Sequence, residues 1–181
     1  MQNILWFKDI HKNYLDLVGG KGLNLGIMYN INLPIPPGFM VTTDAFKSFL
    51  SANGLPTKIY NILDALNVED SLALQNASKE IQDLILSVEM PNEIKSEILE
   101  AYDNLNVDAD ALKLASKAAL SILKAGKELP YVAVRSSATA EDIEGFSFAG
   151  LQETFLNIRG GSNILKSIQK CWASLYTARA I

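Results

Sequence analysis

A polar segment between two strand-like runs carries the residues best suited to chemistry. Arg135 ends the run 131–135, and a second run, 153–159, follows after 17 residues. A hairpin needs far fewer connecting residues, and long loops inside compact domains usually carry function. The segment supplies hydroxyl groups and glycines at Ser136, Ser137, Thr139, Gly145, Ser147 and Gly150. Hydroxyls, backbone N–H groups and a guanidinium suit phosphate oxygens, although a surface hairpin with Arg135 in a structural ion pair is the alternative.

The glycine-rich segment 19–22, which contains Lys21, is the second candidate for binding an anion. It opens a predicted helix, and the N–H groups at a helix start attract negative charge. Its spacing fits neither a Walker A motif nor the dinucleotide fingerprint. The alternative is that Gly22 and Gly26 are packing glycines and that Lys21 is a solvated surface residue.

Longer motifs around these two segments resemble a known family. The chain contains "VAVRSSATAED", "FSFAG" and "QETFLNIRG" near its C-terminal end, and "DLVGGKGLNLGIM" and "LPIPPGFMVTTDAF" near its N-terminal end. These motifs resemble the nucleotide-binding N-terminal domain of the phosphoenolpyruvate synthase and pyruvate phosphate dikinase family. The rifampin phosphotransferases share this domain.

The resemblance implies an α+β fold, the first subdomain of an ATP-grasp-like nucleotide-binding domain, with a mostly antiparallel sheet and a helical cluster. Residues 1–181 are expected to form the N-terminal part of such an ATP-binding domain, truncated at its C-terminal end, with a helical segment at about 51–129. The second subdomain, which supplies acidic Mg²⁺ ligands in the family, and the domain that bears a phosphohistidine are expected outside this chain.

The resemblance also implies that four residues contact the nucleotide: Lys21, Arg135, Gly150 and Thr154. Lys21 matches the lysine of the "GGK" motif. Arg135 matches the arginine of "VRSSAT" and is expected to offset charge as a phosphoryl group is transferred. Gly150 belongs to the loop that closes over the phosphates, and Thr154 follows on the returning strand. Three neighbouring hydroxyls are either secondary phosphate donors or loop-shaping groups: Ser136, Ser137 and Thr139.

For the whole enzyme, the resemblance implies transfer of phosphate from ATP through an enzyme histidine to pyruvate, giving phosphoenolpyruvate, AMP and phosphate. ATP and Mg²⁺ are the implied cofactors, and the phosphohistidine and pyruvate-binding domains are the implied partners. The isolated chain is expected to be inactive, because it offers cationic contacts without metal ligands or a nucleophile. A rifampin phosphotransferase-like antibiotic kinase and a non-catalytic nucleotide-binding or interaction module are the alternatives.

Composition restricts the class of protein further. The net charge of -4 argues against a nucleic-acid partner, and no apolar run approaches the ~20 residues that span a bilayer. The N-terminal residues are not expected to form a signal peptide, because Lys8, Asp9 and Lys12 interrupt any apolar stretch. The single cysteine, Cys171, excludes an intrachain disulfide, fits a reducing cytoplasm and is interpreted as a buried structural thiol. His11, the single histidine, lies outside the matching motifs and is interpreted as a surface residue.

Hydrophobic patterning predicts the elements that position these residues. Strands at about 4–8, 38–42, 131–135 and 153–159 are expected to form one mostly antiparallel sheet, with Thr154, Leu156 and Ile158 on the same face of the last strand. Helices are predicted at about 45–53, 72–88, 91–105 and 108–124, and those after residue 51 should pack as a group beside the sheet. A final helix is predicted from Ser162 to Ile181, where no stop signal occurs, which indicates a truncated domain.

Overall fold

The computed structural model describes residues 2–105, 128–139 and 153–181. These residues form an α+β structure in which helices predominate. Its strands are β1 (Ile4–Trp6), β2 (Phe39–Val41), β3 (Val132–Arg135) and β4 (Thr154–Ile158). Its helices, numbered among the described residues, are α1 (Leu15–Asn30), α2 (Thr43–Ala52), α3 (Leu55–Asp64), α4 (Ser71–Ser87), α5 (Asn92–Asp103) and α6 (Gly161–Ala173). Short 3₁₀ turns occupy Phe7–Asp9, Lys12–Tyr14 and Ser174–Tyr176.

All four predicted strands are present, but the expectation that they form one sheet is wrong for the described residues. β1 pairs with β2 and β3 pairs with β4, both antiparallel, in two separate two-stranded sheets. The β1–β2 pair contacts apolar side chains on both faces. Ile4 and Val41 pack against the main core, whereas Leu5 and Met40 pack in a smaller cluster beneath α1. The β1–β2 pair therefore lies between the main core and the smaller cluster.

The main core lies among helices α2 to α6, as predicted for a helical group. Trp172 of α6 is in ring contact with Phe49 and Phe46 of α2, at centroid distances of 4.8 Å and 5.4 Å. Buried side chains from the other helices complete this core, among them Leu55, Ile59, Ile81, Ile85, Ile94 and Ile98. The half-buried Val132, Val134 and Ile158 place the β3–β4 pair on its edge. The predicted helix at 108–124 lies outside the described residues.

Several helix boundaries differ from the sequence prediction. Helix α3 was not predicted, although Leu55 and Ile59 are spaced by one helical turn and Pro56 occupies the first turn. Thr42 caps α2, which begins two residues earlier than predicted, since its side-chain oxygen accepts a hydrogen bond from the N–H of Ala45 at 3.3 Å. Pro91 precedes α5 instead of lying within its first turn.

The last helix ends earlier than predicted. It begins at Gly161, so Ser162 is inside it and not its cap, and it ends at Ala173 rather than Ile181. Beyond the following 3₁₀ turn, α4 holds the chain: Ser78 and Gln82 donate hydrogen bonds to the carbonyl oxygen of Tyr176 at 2.7 Å and 3.1 Å. These tertiary hydrogen bonds fix the segment that follows the helix, where the local sequence carries no stop signal. None of the helices in the described part of the chain is both long and apolar enough to cross a membrane.

Candidate functional site

The β3–β4 pair brings two of the predicted site residues side by side. Along β3, Val132 and Val134 are half-buried, whereas Ala133 and Arg135 are exposed. Arg135 lies directly opposite Thr154 in the antiparallel register, and Thr154 is also exposed. Because residues opposite each other in such a pair project to the same face, the Arg135 guanidinium and the Thr154 hydroxyl share the solvent face of the pair.

A β-bulge shifts the alternation of β4. Val132 pairs with Ile158 and Val134 pairs with Phe155, so two residue steps on β3 face three on β4. Asn157 takes up the extra residue with a φ of 56°. The prediction that Ile158 shares a face with Thr154 is therefore wrong. Ile158 is half-buried and packs against the main core, while Thr154 stays exposed.

The glycine-rich segment forms a break inside α1. The helix runs from Leu15 to Asn30, but Gly19 has a φ of 69° and a ψ of 173°, which are not helical angles. A helix therefore starts again after Gly19, as the sequence predicted, and a helical turn precedes the break. Lys21 lies half-buried in the first turn of this second part.

The break in α1 contacts the loop that follows β3. The N–H of Gly20 donates to the carbonyl oxygen of Ala138 and the N–H of Gly22 donates to the hydroxyl oxygen of Ser137, both at 3.1 Å. The Ser137 hydroxyl donates in turn to the carbonyl oxygen of Val18 at 2.7 Å. The two segments that the sequence selected, more than 100 residues apart, are thus joined by three hydrogen bonds.

Close packing, rather than anion binding, explains why glycine occupies these positions. A Cβ atom on Gly19 would lie 2.5 Å from the Ser137 hydroxyl oxygen and 2.6 Å from the carbonyl oxygen of Ala138. On Gly22 it would lie 2.7 Å from the Cε atom of Met40, and on Gly26 it would lie 2.5 Å from the Cβ atom of Ile10. The interpretation of Gly22 and Gly26 as packing glycines is confirmed. The N–H groups of Gly20 and Gly22, expected to attract an anion, are bonded within the protein.

Two of the neighbouring hydroxyl residues shape the loop. Ser136 is buried, its N–H donates to the carbonyl oxygen of Glu153 at 3.1 Å, and its hydroxyl lies 3.4 Å from the same oxygen. Ser137 connects the loop to α1 as described above. Thr139 is exposed in a turn. The sequence analysis missed Thr43, whose hydroxyl donates to the carbonyl oxygen of Asp16 at 2.8 Å. Thr43 lies within the motif "LPIPPGFMVTTDAF", so the sequence did draw attention to this segment.

The structure therefore places Arg135 and Thr154 on one face of a strand pair, and it bonds the segment of Lys21 to the loop that begins after Arg135. Gly150 lies outside the described residues. Within residues 2–105, 128–139 and 153–181, no group of three or more His, Cys, Asp or Glu side chains could hold a metal ion. No metal-dependent step is assigned to these residues.

The single histidine and the single cysteine have the exposure that the sequence predicted. His11 is exposed on the surface, with its ring 5.7 Å from that of Tyr14. Cys171 is buried on α6, and burial, followed by the nearby carboxylate of Glu153, raises the pKa of its thiol to about 12. Neither residue contributes to the candidate site.

Comparison with known proteins identifies the family of the chain. Residues 15–181 match the pyruvate phosphate dikinase AMP/ATP-binding domain. A probable phosphoenolpyruvate synthase of Methanocaldococcus jannaschii is 45% identical over 181 residues, which cover 100% of this chain and 14% of that protein. Similar proteins are a probable phosphoenolpyruvate synthase of Methanothermobacter thermautotrophicus (41% identical) and a phosphoenolpyruvate synthase of Pyrococcus furiosus (38% identical), each aligned to 98% of this chain. The chain spans 14–24% of the length of these three relatives.

Proposed function

Because the chain belongs to the family of pyruvate phosphate dikinase AMP/ATP-binding domains, we propose that it is the ATP-binding portion of a phosphotransferase. In this proposal residues 1–181 are the N-terminal part of the ATP-binding domain and form the first subdomain of an ATP-grasp-like fold. The main observation in support is that Arg135 and Thr154 share one exposed face of the β3–β4 pair. The loop that follows Arg135 is hydrogen-bonded to the segment that contains Lys21.

We propose the reaction that the family resemblance implies, and its product agrees with the name phosphoenolpyruvate synthase that the relatives carry. A phosphoryl group passes from ATP through an enzyme histidine to pyruvate, and water takes up the other phosphoryl group of ATP, which gives phosphoenolpyruvate, AMP and phosphate. The histidine, the pyruvate-binding part and the Mg²⁺ ligands are proposed to belong to other domains, and the location is proposed to be the cytoplasm. The described members of the candidate site, Lys21, Arg135 and Thr154, are two cations and a hydroxyl, so the isolated chain should form no AMP.

Arg135 has the clearest proposed role. It ends a strand, so its backbone is held by the β3–β4 ladder opposite Thr154. A planar guanidinium on a rigid element can hold two phosphate oxygens in parallel and is already oriented when charge moves between them. The hydroxyl of Thr154 on the same face can donate to the same phosphate. Lys21 approaches from α1, and Gly150 is proposed to contact the phosphates from the intervening loop.

The test compares two arginines of the same strand pair in the whole protein. Arg135→Ala should lower ATP-dependent AMP formation by roughly 10²–10³-fold, the scale of losing one oriented charge donor. Arg135→Lys should retain only part of the AMP formation, because lysine keeps the charge but lacks the planar fork of the guanidinium. Exchange between pyruvate and phosphoenolpyruvate, which does not use ATP, should change little.

Arg159→Ala is the matched control, since Arg159 follows β4 at the other end of the pair and is bonded to Glu128 at 2.9 Å. It should leave AMP formation within about threefold of the unmodified protein, as for a typical surface substitution. An equal loss of AMP formation and exchange in Arg135→Ala would show that Arg135 supports the fold rather than the transfer. AMP formation by the chain alone would contradict the division of the site between domains.

A further inference from the structure

A serine hydroxyl occupies the place of a helix hydrogen bond in α1. In a continuous α-helix the N–H of Gly22 donates to the carbonyl oxygen of Val18, four residues earlier. Here the Ser137 hydroxyl accepts from the N–H of Gly22 at 3.1 Å and donates to the carbonyl oxygen of Val18 at 2.7 Å. A side chain inserted into the hydrogen-bond ladder in this way is a known cause of a sharp change in helix direction.

The neighbouring helix hydrogen bond is replaced as well. In a continuous helix the N–H of Gly20 would donate to the carbonyl oxygen of Asp16. That N–H instead donates to the carbonyl oxygen of Ala138 at 3.1 Å, and the Asp16 oxygen accepts from the Thr43 hydroxyl at 2.8 Å. These four backbone groups at the break each have a partner from another part of the chain, as buried backbone groups require. The break at Gly19 is held open by groups that come from elsewhere in the chain.

Lys21 lies between the two diverted N–H groups. Its backbone is therefore held against Ser137 and Ala138, which follow Arg135 by two and three residues. Resting on the proposed function, we propose that Ser137 is a positioning residue that fixes Lys21 relative to Arg135, so that both cations meet one polyphosphate. Without the hydroxyl, the Gly22 N–H and the Val18 carbonyl lose their shared partner, and pairing with each other would move Lys21.

The test is a double-mutant cycle in the whole protein, measured as kcat/KM for ATP in AMP formation. Ser137→Ala should lower kcat/KM by about 10–100-fold, the scale of a small misplacement of a binding group. The same substitution in a Lys21→Ala background should cost less than about threefold, because a residue that acts through Lys21 has little left to position. Exchange between pyruvate and phosphoenolpyruvate should be unchanged.

Ser136→Ala is the matched control. Ser136 is the adjacent serine and is also buried, but its hydrogen bonds go to Glu153 instead of α1. It should change kcat/KM by less than about threefold. If Ser137→Ala does not fold, Ser137→Cys, which keeps a similar side chain with a weaker donor, is taken through the same cycle with a smaller expected loss.

The possible results distinguish a failure of the positioning role of Ser137 from a failure of the proposed function. An equal effect of the Ser137 substitution in both Lys21 backgrounds, or no effect in either, overturns the positioning role and leaves the proposed function intact. No effect of Lys21→Ala itself overturns the positioning role together with the proposed contact between Lys21 and ATP.

Discussion

Among single residues, the two arginines of the β3–β4 pair have different surroundings. The guanidinium of Arg159 lies 2.9 Å from the carboxylate of Glu128 and 5.1 Å from the ring centre of Tyr131. Its interactions with Tyr131 and Glu128 raise the pKa of Arg159. The charge of Arg159 is thus engaged in a surface contact, whereas Arg135 lies opposite Thr154 on the exposed face. This difference makes Arg159 a suitable control for the proposed role of Arg135.

Cys171 allows a prediction at the same scale. Burial raises the pKa of its thiol from 9.0 to about 12, so at pH 8 its thiolate fraction is far smaller in the folded than in the unfolded chain. Because the thiolate is the reactive form, alkylation at pH 8 should be roughly 10³-fold slower in the native protein than in denaturant. The measurement is iodoacetamide labelling followed by mass spectrometry. Equal rates in both conditions would mean that the thiol is not buried.

Among the elements, α1 shows how a tertiary contact can interrupt a helix. Gly19 and Gly54 both have positive φ, but their environments differ. Gly54 has a φ of 61° and a ψ of 26°, with open space where a Cβ atom would lie. Gly19 combines a φ of 69° with a ψ of 173°, a region almost restricted to glycine, and has atoms within 2.6 Å of the Cβ position. Gly19 therefore has two independent reasons to be glycine.

The corresponding prediction compares alanine at the two positions. Gly54→Ala should lower the free energy of unfolding by about 1 kcal/mol, the cost of a left-handed conformation for a residue with a Cβ atom. Gly19→Ala should lower it by about 3 kcal/mol or more, because the less accessible backbone region and the contact with Ser137 act together. Urea denaturation of both variants measures the difference. Equal losses would show that the close approach of Ser137 and Ala138 is not needed for stability.

For the whole molecule, Tyr102 joins the helical core to the strand pair that carries the candidate site. Its buried hydroxyl donates to the carbonyl oxygen of Pro130 at 2.7 Å and accepts from the N–H of Gly160 at 3.1 Å. Pro130 precedes β3 and Gly160 follows β4, so one hydroxyl holds both chain segments at the base of the pair. The position of Arg135 and Thr154 relative to α5 therefore depends on this residue.

Tyr102→Phe removes the hydroxyl and leaves a buried N–H and a carbonyl oxygen without this partner. The free energy of unfolding should fall by about 1–3 kcal/mol. Tyr60→Phe is the control, because Tyr60 is exposed and its hydroxyl contacts only the exposed Asp64, at 3.2 Å, among the described residues. It should change stability by less than about 0.5 kcal/mol. A similar loss in both variants would rule out a special role for the buried hydroxyl.

The sequence by itself determined the features that depend on neighbouring residues. Strand positions, most helices and the buried state of Cys171 follow from local patterns of apolar residues, because the periods of strands and helices are set over a few residues. The motifs around Lys21 and Arg135 also placed the chain in its family before the structure was considered. The predicted contact of Lys21, Arg135, Gly150 and Thr154 with ATP remains a prediction.

Only the tertiary structure decided how the elements combine. The strands pair in two separate sheets, the bulge at Asn157 turns Ile158 toward the core, and α4 holds the carbonyl of Tyr176 beyond the end of α6. The break in α1 likewise depends on Ser137, which lies 115 residues beyond Gly22 in the sequence. Each of these outcomes depends on which distant group satisfies a backbone N–H or C=O. No local pattern carries that information, because the partners become neighbours only once the chain has folded.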